Sequence, residues 1–265
     1  MRYNYSEILP QMLKEAGRIM RTAKDIESKD CLTEKGSAAN LVTLYDVKVQ
    51  GYLIDRITKA IPDAVFIAEE KDNSQSEIGA EHCFIIDPID GTANFTRNFN
   101  HSCISLAVIS RGIAVYGAIY DPYLDEMFTA EKGKGMTVNG SPVFHLDHDV
   151  AHSLILFGTS PYKKTELGDK TFAIARKLFD KCADVRRCGS AALDLAYLAA
   201  GRADGFFELV LSPWDFAAGM LMVEEAGGVV TDLEGNRPSF TSTSPIIAGY
   251  GEIYRFILKT AKEIC

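Results

Sequence analysis

Six acidic side chains lie in four short stretches whose sequences suggest more than solvation. They are Glu69 and Glu70 in AVFIAEE, Asp87 and Asp90 in CFIIDPID, Asp215 in VLSPWD and Asp46 in NLVTLYD. Taken singly, each has a simpler explanation. The glutamate pair fits a solvated turn, and Asp46 and Asp215 fit the first turns of helices, where carboxylates are favourable.

The pair Asp87 and Asp90 is harder to explain as surface charge, because it follows CFII, a run apolar enough to be a buried strand. Two partly desolvated carboxylates repel each other, so a neutralising partner is expected. A set of oxygen ligands without histidine or thiolate selects Mg²⁺ or Mn²⁺. Pro88 fixes the local backbone so that both acids and the Ile89 carbonyl can face one side, and Gly91 allows a ligand to approach closely.

The elements that must position these acids alternate along the chain. Helical spacing of apolar residues predicts helices over 5–28 and 43–60, and short β runs fill 64–130. The second half alternates strands with helices near 167–180, 191–200 and 215–226 and at the C-terminus. The pattern predicts an α/β protein with an α+β N-terminal lobe, residues 1–143, and an α/β C-terminal lobe, residues 144–265.

The composition and net charge of the chain limit which partners and which cellular location we expect. The chain has 265 residues, of which 47% are hydrophobic, and a formal net charge of −8, which disfavours nucleic acid and anionic membranes as partners. No apolar run approaches the ~20 residues of a membrane helix, and the N-terminus lacks signal-peptide features, so we expect a cytoplasmic protein. Six cysteines without a C-x-x-C pair indicate reduced, structural thiols.

Several motifs together resemble the inositol monophosphatase family of Mg²⁺-dependent, lithium-sensitive phosphatases. They are KGSAANLVTLYD, AEE, DPIDGTANF, CGSAALDLAYLAAGRADGFFE and WDFAAGMLMVEEAGG, in that order over nearly the whole chain. The resemblance implies a five-layered αβαβα sandwich, a homodimer, two or three Mg²⁺ ions with Mn²⁺ as an alternative, and hydrolysis of inositol monophosphate or a related small sugar phosphate.

The same resemblance assigns roles to individual residues. The implied metal ligands are Glu69, Asp87, the Ile89 carbonyl, Asp90 and Asp215. The implied catalytic residues are Glu69, Thr92 and Asp46, with Thr92 linked to Asp46 to orient the attacking water. The implied substrate contacts are Asp90, Gly91, Thr92, Gly189, Ser190, Ala191, Glu208 and Asp215.

Three features leave alternatives open. Ala68 stands where the family usually has glycine, which puts a third metal position in doubt, and Ser190 is also a plain helix N-cap. Lys163 and Lys164 could meet a second phosphate or form a solvated loop. Relatives with a similar metal core act on fructose 1,6-bisphosphate, adenosine bisphosphates or histidinol phosphate, and a non-catalytic protein that binds a partner is the remaining alternative.

Overall fold

The computed structural model describes residues 3–28, 31–34, 41–73, 77–143, 145 and 148–265. Residues 35–40 of the motif KGSAANLVTLYD, and residues 144, 146 and 147 at the predicted lobe boundary, lie outside these ranges. The helices of the described part are α1 (Tyr5–Arg21), α2 (Leu44–Ala60), α3 (Thr92–Thr96), α4 (Lys164–Phe179), α5 (Ala191–Ala199), α6 (Pro213–Glu225) and α7 (Gly251–Lys262).

Three sheets contain the described strands. A small antiparallel pair is formed by β1 (Leu32–Glu34) and β2 (Leu41–Thr43). A seven-stranded sheet contains, in spatial order, β3 (Val65–Ala68), β4 (Cys83–Asp90), β5 (Cys103–Ser110), β6 (Ile113–Asp121), β7 (Glu126–Glu131), β8 (Gly135–Val138) and β9 (Ser141–Pro142). Strands β3 and β4 are parallel, and every later pair in this sheet is antiparallel.

The third sheet has five strands and belongs to the second half of the chain. Its strands are β10 (Leu154–Phe157), β11 (Asp184–Arg186), β12 (Gly205–Leu211), β13 (Val229–Thr231) and β14 (Ser244–Gly249). In space their order is β11-β10-β12-β14-β13, with β10 parallel to both neighbours and β14 antiparallel to both of its neighbours. The start of α5 and the end of β12 lie near the end of β4, since Ser190, Leu211 and Asp90 line one cleft.

Side-chain alternation in the two large sheets builds the layers. Phe84 and Ile86 of β4 point into a core shared with α1 and α2, while Ile85 points into a second core that contains α5 and α6. Phe206 of β12 joins the second core, and Phe207 joins a third core with α4 and α7. The order is therefore helices, sheet, helices, sheet, helices, which confirms the predicted αβαβα sandwich.

The second core contains residues from both sides of the boundary predicted at 143/144. The division into two lobes stays a prediction. Among the described residues, no helix has the length and apolar character needed to cross a membrane.

Most predicted helices are present, but α1 ends at Arg21 rather than near residue 28. Thr22 stops the helix: its backbone N–H and its hydroxyl both donate to the Arg18 carbonyl, at 3.0 and 2.8 Å. Asp25 then adopts a positive φ of 53°. Ile26 is buried but lies in a turn, so an apolar residue at helical spacing does not belong to the helix here.

Candidate metal centre and substrate cleft

An irregularity in β4 brings its two aspartates to one side. Asp87 lies opposite Ser105 on β5, and Asp90 lies opposite Cys103. A step of three residues along β4 therefore matches a step of two residues along β5. This extra residue is a β-bulge. Without it, residues three apart on a strand would point to opposite faces. The strand therefore continues through both acids.

The third acid, Asp215, comes from the second half of the chain, at the first turn of α6. One carboxylate oxygen of each of Asp87, Asp90 and Asp215 lies within 4.8 Å of the others. Oδ2 of Asp215 accepts a hydrogen bond from the Ser212 N–H at 2.7 Å, which fixes the side chain at the helix N-terminus. The Ser105 hydroxyl donates to the Trp214 carbonyl at 3.2 Å and ties α6 to β5.

Glu69 follows the last residue of β3, and its N–H donates to the Ile86 carbonyl at 3.2 Å, which extends the parallel pairing by one bond. The next residue, Glu70, exchanges two hydrogen bonds of 3.0 Å with the Gln50 side chain of α2. The glutamate pair is therefore held against a helix. This contact supports a fixed position for Glu69 and disfavours the solvated-turn explanation.

Asp46 makes contacts that fit both of the roles that the sequence offered. Its Oδ2 accepts from the N–H of Thr43 at 2.7 Å and from the Thr43 hydroxyl at 2.5 Å, as in a capping box. Its Oδ1 faces the Thr92 hydroxyl at 3.4 Å. The same hydroxyl lies 3.0 Å from the Ile89 carbonyl oxygen, which the sequence predicted as a metal ligand.

The electrostatics of the cluster favour a bound cation. Burial, and then the charges of Glu69, Asp90 and Asp215, raise the pKa of Asp87 well above its usual value. Burial, Asp90 and Glu69 do the same for the pKa of Asp215. Burial also raises the pKa of Asp90, against the opposing hydrogen bonds from Ser190 and Ala192. Four nearby carboxylates with oxygen donors alone fit a hard divalent ion.

The acids form the floor of a cleft of ≈ 150 Å³. Of the predicted site residues, Glu69, Asp90, Gly91, Thr92, Gly189, Ser190, Ala191, Glu208 and Asp215 line this cleft. Asp87 lies beneath them, 2% exposed. A larger cavity of ≈ 500 Å³, between α1 and strands β6 to β8, is lined by none of the predicted site residues.

One wall of the cleft is the start of α5. Ser190 is the N-cap, its hydroxyl donates to Oδ2 of Asp90 at 2.5 Å, and the Ala192 N–H donates to the same oxygen at 2.8 Å. Gly91 has a φ of +85°, and an added Cβ would lie 3.1 Å from the Gly189 carbonyl oxygen. This close approach explains why glycine is needed at position 91.

Glu208 forms the opposite wall, on β12. Its Oε1 accepts from the N–H of Ser160 at 2.7 Å and from the Ser160 hydroxyl at 3.0 Å. Burial raises the pKa of Glu208 to about 7. Gly158 makes room for the carboxylate, because a Cβ there would lie 1.7 Å from Oε2 of Glu208.

The two lysines singled out in the sequence do not line the cleft. Lys163 pairs with Glu166 at 3.2 Å, in agreement with the solvated-loop alternative. Arg187 is the one cationic side chain among the described residues that line the cleft. Arg187 was not among the residues predicted from the sequence, although its position two residues before Gly189 was a usable signal.

Comparisons with known proteins agree with this fold. The model of the inositol monophosphatase family matches residues 4–265. A relative from Salmonella typhimurium, named Nus factor SuhB, is 40% identical over 257 residues, 94% of this chain and 92% of that protein.

Two solved structures also resemble the chain closely. The extragenic suppressor protein suhB from Bartonella henselae has 36% identity and a TM-score of 0.88, covering 97% of this chain and 98% of its own. An IMPase from Thermotoga maritima has 30% identity and a TM-score of 0.87, covering 99% of this chain and 98% of its own.

Proposed function

Because the chain belongs to the inositol monophosphatase family, we propose that it is a divalent-cation-dependent phosphomonoesterase that acts on a small phosphorylated polyol. Inositol monophosphate is the first candidate substrate. The observation that carries the proposal is the convergence of Asp87, Asp90 and Asp215 within 4.8 Å beneath a cleft that Glu69 and Thr92 also line.

The ligands for the ions would be the carboxylates of Glu69, Asp87, Asp90 and Asp215 with the Ile89 carbonyl. Mg²⁺ suits this donor set best, and Mn²⁺ is the alternative. When bound, such ions neutralise phosphoryl charge, lower the pKa of a water molecule and stabilise the leaving alkoxide. The Ile89 carbonyl can accept from Thr92 and still offer its second lone pair.

Thr92 and Asp46 would position the attacking water. The Thr92 hydroxyl can accept a hydrogen bond from that water only while its own proton is donated elsewhere, to Asp46 or to the Ile89 carbonyl. Asp46 is fully buried and is fixed by Thr43, so it keeps the threonine hydroxyl oriented. This arrangement supplies orientation without a histidine base.

The substrate would lie between α5 and β12. The backbone at Gly189 to Ala191 and the guanidinium of Arg187 line the cleft and would face a phosphoryl group, and the start of α5 would add the favourable end of its dipole. Oε2 of Glu208 and the carboxylate of Asp215 can accept hydrogen bonds from hydroxyl groups. A cationic side chain on one side of the cleft and carboxylates that accept from hydroxyl groups on the other side favour a polyol phosphate as the substrate.

The direct test is phosphate release from a panel: inositol 1-phosphate, fructose 1,6-bisphosphate and an adenosine bisphosphate, each with Mg²⁺ and with excess EDTA. We expect turnover of at least one small phosphate ester that requires Mg²⁺ and stops with chelator. Undiminished turnover in EDTA would contradict the metal role. The ranking of the three esters decides between the inositol phosphatase and the bisphosphate alternatives.

A second candidate is a non-catalytic role in binding a partner. It is favoured by one observation, that the Salmonella typhimurium relative is named a Nus factor. The complete set of acids with Thr92 argues for catalysis, because a binding role alone gives no reason to place repelling carboxylates together. No turnover of any ester in the panel, by a folded protein with Mg²⁺, would favour the binding role. Pairing as a homodimer stays a proposal.

A further inference from the structure

A second group of metal-binding side chains lies beside the acidic cluster and differs from it in chemistry. His101, Cys188 and Asp194 each offer one donor atom, and the three atoms lie within 4.8 Å of one another. His101 precedes β5, Cys188 precedes α5, and Asp194 lies in the first turn of α5. The group therefore joins the first half of the chain to the wall of the cleft.

Two of the three donors are buried polar atoms that make no hydrogen bond of normal geometry to the described residues. Nε2 of His101 and Oδ1 of Asp194 have no hydrogen bond, and they lie 3.9 Å apart, which is too far for a direct one. Asp194 is 1% exposed. A buried carboxylate oxygen without a hydrogen bond is costly, and such atoms in native proteins usually have a ligand, water or ion as partner.

The backbone of the group is already organised. The side-chain amide of Asn94 donates to the carbonyls of both His101, at 2.7 Å, and Cys188, at 2.9 Å. The Asp194 N–H donates to the Ser190 carbonyl at 3.0 Å, and the Tyr197 ring packs edge-on against His101 at 5.8 Å. One asparagine thus holds two of the donors in place, as outer hydrogen bonds do around metal sites.

We propose that His101, Cys188 and Asp194 bind one Zn²⁺-type ion at a site separate from the acidic cluster. Imidazole, thiolate and carboxylate together select Zn²⁺ or Co²⁺, whereas Mg²⁺ prefers oxygen alone. Tetrahedral binding at ordinary Zn–N and Zn–O lengths places nitrogen and oxygen roughly 3.4 Å apart. The observed 3.9 Å between Nε2 and Oδ1 requires only a small closure.

The three protein donors leave a fourth position for water, and the site has an evident connection to the cleft. Cys188 immediately precedes Gly189 and Ser190, and the Ser190 hydroxyl holds Asp90. The thiolate, the carboxylate and the neutral imidazole carry two negative charges that balance the ion. The thiol proton is released to solvent on binding. An ion here would clamp the α5 wall against the loop at His101.

The test is titration of the full-length protein with Co²⁺ in a large excess of Mg²⁺, which occupies the acidic cluster. We expect a thiolate-to-cobalt charge-transfer band in the near ultraviolet that saturates at one Co²⁺ per chain and is displaced by Zn²⁺. Cys188→Ser should abolish the band. Asp194→Asn should keep the thiolate but weaken Co²⁺ binding at least tenfold, since a charged ligand is lost.

Cys103→Ser is the matched control, because Cys103 lies 3.9 Å from Oδ2 of Asp90 and would report cobalt in the acidic cluster instead. It should leave the band intact. Absence of a band in the parent protein overturns the proposal. So does loss of the band in Cys103→Ser with retention in Cys188→Ser, or unchanged affinity in Asp194→Asn. Zn²⁺ should also raise the melting temperature of the parent more than that of folded Asp194→Asn.

Discussion

The hydroxyl of Thr92 lies 3.4 Å from Oδ1 of Asp46, a carboxylate whose other oxygen is held by the N–H of Thr43 at 2.7 Å. One aspartate therefore contacts the N-cap of a helix and a residue that lines the cleft, through different oxygens. The two contacts can be tested separately, because one variant can remove the Thr43 hydroxyl and another can change the Asp46 carboxylate.

Thr92→Ala and Asp46→Asn should each lower kcat by ~10²-fold or more, because the water loses its orienting hydroxyl or the hydroxyl loses its acceptor. Mg²⁺ affinity should change little, since neither side chain belongs to the proposed ligand set. Steady-state kinetics over a range of Mg²⁺ concentrations measures both. An unchanged kcat in Asp46→Asn would leave Asp46 with its capping role alone.

Thr43→Ala is the matched control for the capping role. It removes a side-chain cap of α2 and should cost about 1 kcal/mol of unfolding free energy. Its effect on kcat should be much smaller than that of Asp46→Asn, since Oδ1 still faces Thr92. Urea unfolding and kinetics on both variants make the comparison. Equal kcat losses would mean that the cap, and not the link to Thr92, determines activity.

The sequence predicted the acids of the candidate site better than it predicted the geometry that joins them. CFIIDPID is a strong local signal, since an apolar strand carrying two acids is rare without a reason. The bulge between Asp87 and Asp90 depends on the register with β5, a long-range pairing that no local pattern encodes. The predicted end of α1 was wrong because apolar residues continue at helical spacing as far as the buried Ile26, beyond the helix end at Thr22.

The surroundings of the site were less predictable than its acids. Gln50, which fixes Glu70, and Ser160, which fixes Glu208, lie 20 and 48 residues from their partners. Their residue types are ordinary in a helix and a loop, so only the packing of the layers reveals their roles. The layer order was implied by the resemblance to a known family, whereas the alternation of strand and helix patterns predicted only the α/β class.

Lys163 and Lys164 provide a prediction about substrate choice. Replacing both with Ala should change KM for fructose 1,6-bisphosphate and for inositol 1-phosphate by similar, small factors, since neither lysine lines the cleft and Lys163 pairs with Glu166. Arg187→Ala, measured in parallel, should raise KM for both substrates more strongly. A KM increase confined to the bisphosphate in the lysine variant would restore the second-phosphate alternative.

Gly158 should be intolerant of a single methyl group. In Gly158→Ala the new Cβ would lie 1.7 Å from Oε2 of Glu208, so the carboxylate must leave its place beside Ser160. We expect a lower melting temperature and a kcat/KM reduced by at least tenfold. Displacement of a buried, hydrogen-bonded carboxylate is the cause.

Gly168→Ala is the control for that substitution, since Gly168 lies inside α4 with nothing within 4 Å of an added Cβ. It should be neutral or stabilising by about 0.5–1 kcal/mol, because alanine favours helix. Thermal melts and kinetics of the two variants test the pair. A tolerated Gly158→Ala would show that Glu208 can move without consequence and would remove it from the substrate wall.

Asp87→Asn tests the metal cradle without any substrate. Without metal, Asp87 is 2% exposed among the charges of Glu69, Asp90 and Asp215, so removing its charge relieves repulsion in the folded state. In EDTA the variant should therefore melt at or above the temperature of the parent protein. With Mg²⁺ it should gain far less, because stabilisation grows as RT ln(1 + [L]/Kd) and the Kd has been weakened.

The melting temperatures of the two proteins, plotted against Mg²⁺ concentration, should consequently cross. Asp63→Asn is a suitable control, because Asp63 is exposed and lies outside the cleft; its variant should gain as much stability from Mg²⁺ as the parent does. Strong destabilisation of Asp87→Asn in EDTA would instead assign Asp87 a structural role through its hydrogen bond from the Ile89 N–H at 3.0 Å. Equal Mg²⁺ stabilisation of variant and parent would show that Asp87 is not a ligand.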